Sequence, residues 1–509
     1  MNSAVMLLER AALRWGGRVA VEDEWGSVCY QEYRDLSRRV GTGLLRAGAA
    51  RRPVAVLLPR SIRALSVFFG AQYAGSPYVP LDYAIPLPRL EKILESLAPC
   101  ALVTDAAGRA RLGEAGPGVT LLDWEALAAA ETEEQALRES LGAVIDTDPI
   151  YIIYTSGSTG VPKGVTIPQR GILDYAEWVV RTFGYTEETV MAAQAPFYFD
   201  NSTFDIYGSL RCGGKLLLIP QSLLLFPVRL PQYLADKGVT SIFWVPTVMI
   251  NVANAGALEG VALPELRVVA FAGEVMPNRQ LNIWRRALPD CRFANLYGPT
   301  EITDVCCYYI VDRAFADADP LPIGRACENM RLLILRQDGS EAAVGEQGEL
   351  CVLGSGVALG YWNAPELTAK AFVPNPLTGA WPERMYRTGD QAYRDAEGLI
   401  WFCGRRDSQI KRKGNRIELG EIETAAVCVE GVENAAALFD AARERIVLFV
   451  ETRGTLPFRR FNQALKQYIP AYMLPDALVP MPALPYTPNG KIDRVKLRGT
   501  LEQRKESEL

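Results

Sequence analysis

YIIYTSGSTGVPKG (151–164) begins as an apolar run of strand length and breaks into a loop of hydroxyls and glycines. Thr155, Ser156, Ser158 and Thr159 supply the hydroxyls, Gly157, Gly160 and Gly164 the glycines, and Lys163 a cation. Glycines let backbone N–H groups approach an anion, hydroxyls add donors and lysine adds charge, which is how loops cradle polyphosphate. The loop is not a Walker A motif, because Lys163 is followed by Gly164 rather than Ser or Thr.

Outward from this stretch the same alternation repeats. VAVLL (54–58), KLLLIP (215–220), SIFWV (241–245), LRVVAFAG (266–273), LLIL (332–335) and ELCVLG (349–354) are continuous apolar runs. Amphipathic stretches such as YRDLSRRVGTGLLRAG (33–48) lie between several of them. Buried strands alternating with helices predict an α/β protein whose sheets are flanked by helices. The 509 residues exceed what one core usually supports. The sequence changes character near residue 403, where the basic run GRRDSQIKRKGNR (404–416) precedes LGEIETAAVCV (419–429), of helical pattern, and RIVLFVET (445–452), of strand pattern. The expected organisation is a large N-terminal domain of layered α/β subdomains (1–403), a short exposed linker (404–408) and a small α+β C-terminal domain (409–509). Pro488-Asn489-Gly490 is turn chemistry that projects Lys491 on a tight loop.

Composition narrows the chemistry. A net charge of −5 gives no reason to invoke nucleic acid, and no window offers the uncharged apolar run that a membrane helix needs. The ten cysteines are scattered without a CxxC pair, and the N-terminus has charges inside its apolar stretch, so a cytoplasmic protein with reduced thiols is expected. There is no histidine. Ser-His-Asp and Cys-His catalysis are therefore excluded and a zinc enzyme is disfavoured.

Other segments carry readable chemistry. In NLYGPTE (295–301), Tyr297 is an aromatic plane suited to stacking on adenine, and Glu301 is a hard oxygen ligand suited to Mg²⁺. Asp390, ending YRTGD (386–390), is a carboxylate suited to two vicinal ribose hydroxyls, and Arg405 could reach ribose or phosphate.

With YAGSPYVPLD (73–82), FDNSTFD (199–205), GELCVLGSGVALGYWN (348–363), GRRDSQIKRKGNRIELGEIE (404–423) and NGKID (489–493), these segments resemble, in order, the motifs of the adenylate-forming enzymes. That family includes nonribosomal peptide synthetase adenylation domains, acyl-CoA synthetases and luciferases. The resemblance implies an enzyme using ATP and Mg²⁺. The ATP site would comprise Thr155, Ser156, Gly157, Ser158, Thr159, Gly160, Lys163, Asn295, Tyr297, Gly298, Thr300, Asp390, Arg405 and Lys491. Lys491, Glu301 and Thr155 would be catalytic, with Lys491 bridging the substrate carboxylate and the nucleotide where negative charge concentrates. Asp407 matches the family's hinge, so the resemblance implies that 404–408 is a hinge and the small domain mobile, rotating about it after adenylate formation.

The resemblance also locates the substrate pocket. An aspartate at the position of Asp200 pairs with an amino acid's ammonium, so an amino acid is expected over a fatty or aryl acid. The remaining pocket positions are Asn201, Phe204, Phe243, Ala270, Ala272, Leu296, Asp304 and Val305, a set that favours a small or medium side chain. Asp304 either accepts from the substrate or pairs with a protein group. Only 18 residues follow Lys491 and no Ser-centred attachment motif is among them, so the implied acceptor is the phosphopantetheine thiol of a separate carrier protein. An acyl-CoA or aryl-acid ligase, and a nucleotide-binding regulator without activity, are the other readings. Two positions depart from the family pattern: Gln169 stands where a histidine is usual, and Arg412 where an apolar residue is usual.

Overall fold

The computed structural model describes residues 2–113, 119–156, 162–405, 409–452, 454, 456–485 and 492–503. The chain divides into two compact units, one of Met1–Tyr83, Leu97–Tyr154 and Gly164–Arg406, the other of Ala84–Ser96, Thr155–Lys163 and Asp407–Leu509. The fold is the α/β layering expected from the alternation of apolar runs.

The first unit contains a nine-stranded sheet in the order Arg325–Ala326, Cys307–Ile310, Arg292–Tyr297, Val268–Phe271, Ser241–Trp244, Val190–Ala193, Lys215–Leu218, Val19–Asp23 and Gly26–Cys29. Its central strands, from Arg292–Tyr297 to Val19–Asp23, are parallel, and the pairings toward both edges are antiparallel. Strand alternation explains why the apolar runs are continuous. Phe243, Ala270, Ala294 and Leu296 join the core on one face, while Ile242, Trp244, Val269, Phe271 and Phe293 join the core on the other. Prolines end the runs: the apolar stretch from Lys215 leaves the sheet at Leu218, two residues before Pro220, and Pro246 opens the helix Pro246–Asn254 just after Ser241–Trp244.

A seven-stranded sheet carries Pro149–Thr155 and Lys163–Pro168, and an antiparallel five-stranded sheet carries Gly348–Gly354, Arg384–Arg394 and Ile400–Arg405. The amphipathic stretch expected from residue 33 is helical from Tyr30 to Arg46. It starts earlier because Cys29 and Glu32 form a capping box, the Glu32 carboxylate accepting the Cys29 N–H at 2.8 Å.

In the second unit, Asn434–Asp440, Arg445–Glu451 and Ala477–Met481 form a three-stranded sheet covered on both faces. Ile446, Leu448 and Val450 pack with Ile422 and Phe461 of the helices Leu419–Val427 and Phe458–Leu465. Val447 and Phe449 point the other way, toward Leu497 and Leu501 of the helix Arg494–Gln503. The unit includes Ala84–Ser96 and Thr155–Lys163 because the Arg89 guanidinium pairs with Glu421, both buried, and Ser156 Oγ donates to the Arg416 carbonyl at 3.0 Å.

Both unusual positions have structural work. Gln169 is buried, and its Oε1 accepts the Ala4 N–H at 2.8 Å, just ahead of the first helix. Arg412, in the hairpin Gln409–Arg412/Asn415–Glu418, pairs with Asp476 Oδ1 at 2.5 Å, while Asp476 Oδ2 accepts the Ile446 N–H at 2.8 Å. A cation there fastens the hairpin to the sheet, which an apolar residue could not do.

Candidate functional site

The carboxyl end of the strand Arg292–Tyr297 runs into a tight 3₁₀ turn, Thr300–Ile302, followed by two residues in left-handed backbone: Thr303 (φ 65°) and Asp304 (φ 70°). Side chains other than Gly and Asn or Asp rarely adopt that conformation, so the surroundings must hold it. Thr303 Oγ1 donates to the Gly356 carbonyl at 2.7 Å, and the Glu301 carbonyl accepts the Ala358 N–H at 2.9 Å. Gly298 is required by close approach, since a Cβ there would come within 2.1 Å of the Asp304 carbonyl oxygen.

This turn buries Glu301 completely, and Tyr361 donates its hydroxyl to Glu301 Oε1 at 2.8 Å. The neighbouring nucleotide candidates are gathered in the same unit. Tyr297 and Arg405 both donate to Asp390, Arg405 Nη1 reaching Oδ1 at 2.5 Å and Tyr297 using Oδ2. Burial, and then the Asp390 charge, push the Tyr297 phenol well above its ordinary pKa, so it stays a neutral donor. Tyr297 also lies 6.2 Å from the Phe402 ring, and Asn295 donates to the Pro322 carbonyl at 2.8 Å. Thr300 is buried at the start of the turn.

Thr155, Ser156 and Lys163 lie in the second unit. Thr155 Oγ1 is buried with no hydrogen-bond partner, Ser156 is engaged by the Arg416 carbonyl, and Lys163 is half-buried at the start of its strand. Gly157, Ser158, Thr159, Gly160, Asp407 and Lys491 lie outside the described residues.

The donor set suits the nucleotide and its ion. An orphaned buried hydroxyl at Thr155 fits a phosphate oxygen that would complete it. Glu301 offers a hard oxygen donor of the kind that, with phosphate oxygens, would hold Mg²⁺.

Of the pocket candidates, Phe243, Ala270 and Leu296 stand on the parallel strands and Phe204 on the helix Ser202–Cys212. Phe204, Phe243, Ala270, Ala272, Leu296 and Val305 belong to one buried cluster, with the Phe204 and Phe243 rings 4.5 Å apart. Asp200, 8% exposed, precedes the helix Ser202–Cys212; its Oδ1 accepts the Asn201 N–H at 3.0 Å. Asp304, 3% exposed, accepts the Tyr175 hydroxyl on Oδ2 at 2.5 Å. Tyr175 is thus a protein group that pairs with Asp304. Burial raises the phenols of Tyr151 and Tyr175 well above their ordinary pKa, and the charges of Asp200 and Asp304 add to it at both. The two carboxylates therefore share one neighbourhood with both phenols.

Tyr361, Tyr175 and Tyr151 are contributors that sequence reasoning missed. Tyr361 stands inside the quoted GELCVLGSGVALGYWN, in which nothing marks its hydroxyl as the partner of Glu301. Tyr175 and Tyr151 lie on an amphipathic helix and an apolar strand, in which a tyrosine reads as core.

The match to the family model described as AMP-binding enzyme spans residues 8–362. The chain belongs to that family, and it is an adenylate-forming enzyme of the AMP-binding ligases. It is 33% identical over 506 residues to the L-proline–[L-prolyl-carrier protein] ligase of Pseudomonas fluorescens, covering 96% of this chain and 97% of the ligase. It is 32% identical over 503 residues to tyrocidine synthase 1 of Brevibacillus parabrevis, covering 97% of this chain but 45% of that protein. Among solved structures, the o-succinylbenzoate CoA synthetase of Bacillus subtilis superposes with a TM-score of 0.84, 20% identity and 98% of both chains covered, a likeness of fold alone. No helix among the described residues is long and apolar enough to cross a membrane.

Proposed function

We propose that this enzyme activates an amino acid as its aminoacyl-adenylate and passes it to the phosphopantetheine thiol of a separate carrier protein. In the first step a substrate carboxylate oxygen bonds to the α-phosphorus of ATP and pyrophosphate leaves. In the second the thiol sulfur bonds to the acyl carbon, AMP leaves and the thiol proton is lost to solvent. Asp200 carries this reading: a carboxylate buried at the end of an apolar cluster is the group that holds a substrate ammonium. Asp390, Tyr297 and Arg405 form the nucleotide side, Arg405 and Tyr297 fixing the carboxylate offered to ribose. Glu301, fixed by Tyr361, would hold Mg²⁺, which neutralises phosphate charge when bound. Lys491 is the cation that bridges carboxylate and α-phosphate, and Asp407 the pivot that later withdraws it. The similarity to the proline–carrier-protein ligase along nearly the full length of both chains supports the carrier thiol as acceptor.

The test is ATP–pyrophosphate exchange across amino, aryl and fatty acids. Exchange with amino acids supports the reading, and exchange confined to aryl or fatty acids replaces it with a CoA-type ligase. Lys491→Ala is expected to cut exchange by roughly 100-fold or more, the scale of losing one transition-state charge contact, while sparing transfer from a supplied aminoacyl-adenylate. Equal loss in both half-reactions would remove the assigned division of labour.

A further inference from the structure

Lys491 lies outside the described residues, yet the chain on both sides of it is described and tied down. Leu484 donates its N–H to Glu451 Oε2 at 3.3 Å, and the Pro485 carbonyl accepts the Asp493 N–H at 2.7 Å. One hydrogen bond thus joins the chain before the segment 486–491 to the chain after it. Asp493 Oδ1 accepts the Lys496 N–H at 3.1 Å, the kind of bond that caps a helix start, and the helix Arg494–Gln503 follows at once. Leu497 and Leu501 seat that helix in an apolar cluster of the three-stranded sheet.

Arg494, three residues after Lys491, sends Nη2 back to both oxygens of Glu423, at 2.7 and 2.8 Å. Glu423 stands on the helix Leu419–Val427, and its Oε1 also accepts the Ala437 N–H at 2.8 Å. Ala437 belongs to Asn434–Asp440, the edge strand of the three-stranded sheet. A carboxylate held by a backbone N–H of the sheet is a stiff partner, and the Glu423 side chain is only 16% exposed. The neighbouring Lys496–Asp493 pair is the looser kind, 3.5 Å apart with the lysine well exposed. The start of the last helix is therefore registered against the sheet close to the bridging cation.

We propose that Glu423 and Arg494 are positioning residues for Lys491, fixing where the backbone that carries the cation enters its helix. This rests on the reading that Lys491 serves adenylate formation, and it names the residues that place it. A contact made in the transition state is sensitive to placement, and a displacement on the order of 1 Å costs about 100-fold. An ion pair with one half-exposed partner contributes little to stability, so the effect belongs in rate rather than in folding.

The measurement compares the two half-reactions of the full chain, ATP–pyrophosphate exchange and thioester formation from a supplied aminoacyl-adenylate. Arg494→Ala and Glu423→Gln should each lower kcat for exchange by about tenfold or more, with transfer nearly intact. Glu423→Gln keeps an acceptor for the Ala437 N–H and carries the test if Arg494→Ala fails to fold. Arg494→Lys, which keeps a cation opposite Glu423, should recover part of the loss. Adding Arg494→Ala to Lys491→Ala should cost nothing further, because the pair acts through the lysine. Losses that fall equally on exchange and transfer, or that add in full to the Lys491→Ala loss, would make the pair structural and overturn the proposal, as would unchanged exchange in both single variants. Exchange insensitive to Lys491→Ala itself would instead overturn the lysine assignment beneath the pair, a distinguishable result.

Discussion

The nucleotide side and the amino-acid side both bury carboxylates, yet they hold them differently. Asp390 is gripped by a guanidinium and a phenol, so its charge is balanced inside the protein. Asp200 accepts the Asn201 N–H and Asp304 the Tyr175 hydroxyl, both neutral donors that set direction. Balance suits a ligand that brings hydroxyls, as ribose does, because swapping hydrogen bonds changes no net charge. A carboxylate that accepts from neutral groups suits a ligand that brings a cation, because each charge offsets the other's burial.

Replacing Asp200 attacks the comparison where the effect should be largest. Asp200→Ala is expected to lower kcat/KM for amino acids by on the order of 100-fold, as truncating a buried charge pair does, and to leave des-amino analogues nearly untouched. Parallel losses in both would mean that the charge is structural. Next in size is Tyr361→Phe, which leaves Glu301 without its orienting hydroxyl and should raise the Mg²⁺ concentration for half-maximal exchange by about tenfold, as loss of a supporting ligand contact does. An unchanged Mg²⁺ titration would detach Glu301 from the metal.

The smallest effect concerns Asp205, one turn along the helix that follows Asp200. It is fully buried, neither oxygen has a hydrogen-bond partner, and burial raises its carboxyl well above the ordinary 3.8 despite the nearby Arg60. Arg60 spends its donors on the carbonyls of Ala193, Ala195 and Ile219, and burial lowers its own pKa to about 10. A raised acid binds its proton more tightly folded than unfolded. Its stabilising contribution is therefore complete below the ordinary aspartate range and shrinks as pH rises toward the folded value. Asp205→Asn should flatten the fall of Tm between pH 5 and pH 8 seen in thermal melts of the wild type, and equal slopes would show Asp205 ionised in both.

Which features were legible follows from their physics. Buried parallel strands are apolar throughout, so VAVLL, SIFWV and LRVVAFAG announced the layers, and sheet alternation brought Phe243, Ala270 and Leu296 onto one face. Side chains whose chemistry is rare in a core, such as Glu301 and Asp390, were also visible. What sequence could not supply was the partner of each. A tyrosine on an apolar strand or helix reads as packing until its hydroxyl is located, which hid Tyr175 and Tyr361. Asp304 stayed ambiguous for the same reason. The grouping of Ala84–Ser96 and Thr155–Lys163 with the C-terminal residues depends on pairs such as Arg89–Glu421, separated by hundreds of positions.

The place of Val19–Asp23 in the nine-stranded sheet has a consequence in time. This early strand lies parallel to Lys215–Leu218, whose residues are synthesised nearly two hundred positions later. At translation rates of about 5–20 residues per second, the wait is roughly 10–40 s. Throughout that interval the hairpin with Gly26–Cys29 offers an unpaired edge. The C-terminal sheet carries no comparable delay, since its three strands all fall between Asn434 and Met481. During biosynthesis the exposed nascent edge is thus a natural site for chaperone capture, and slowing the ribosome between these segments should lower soluble yield.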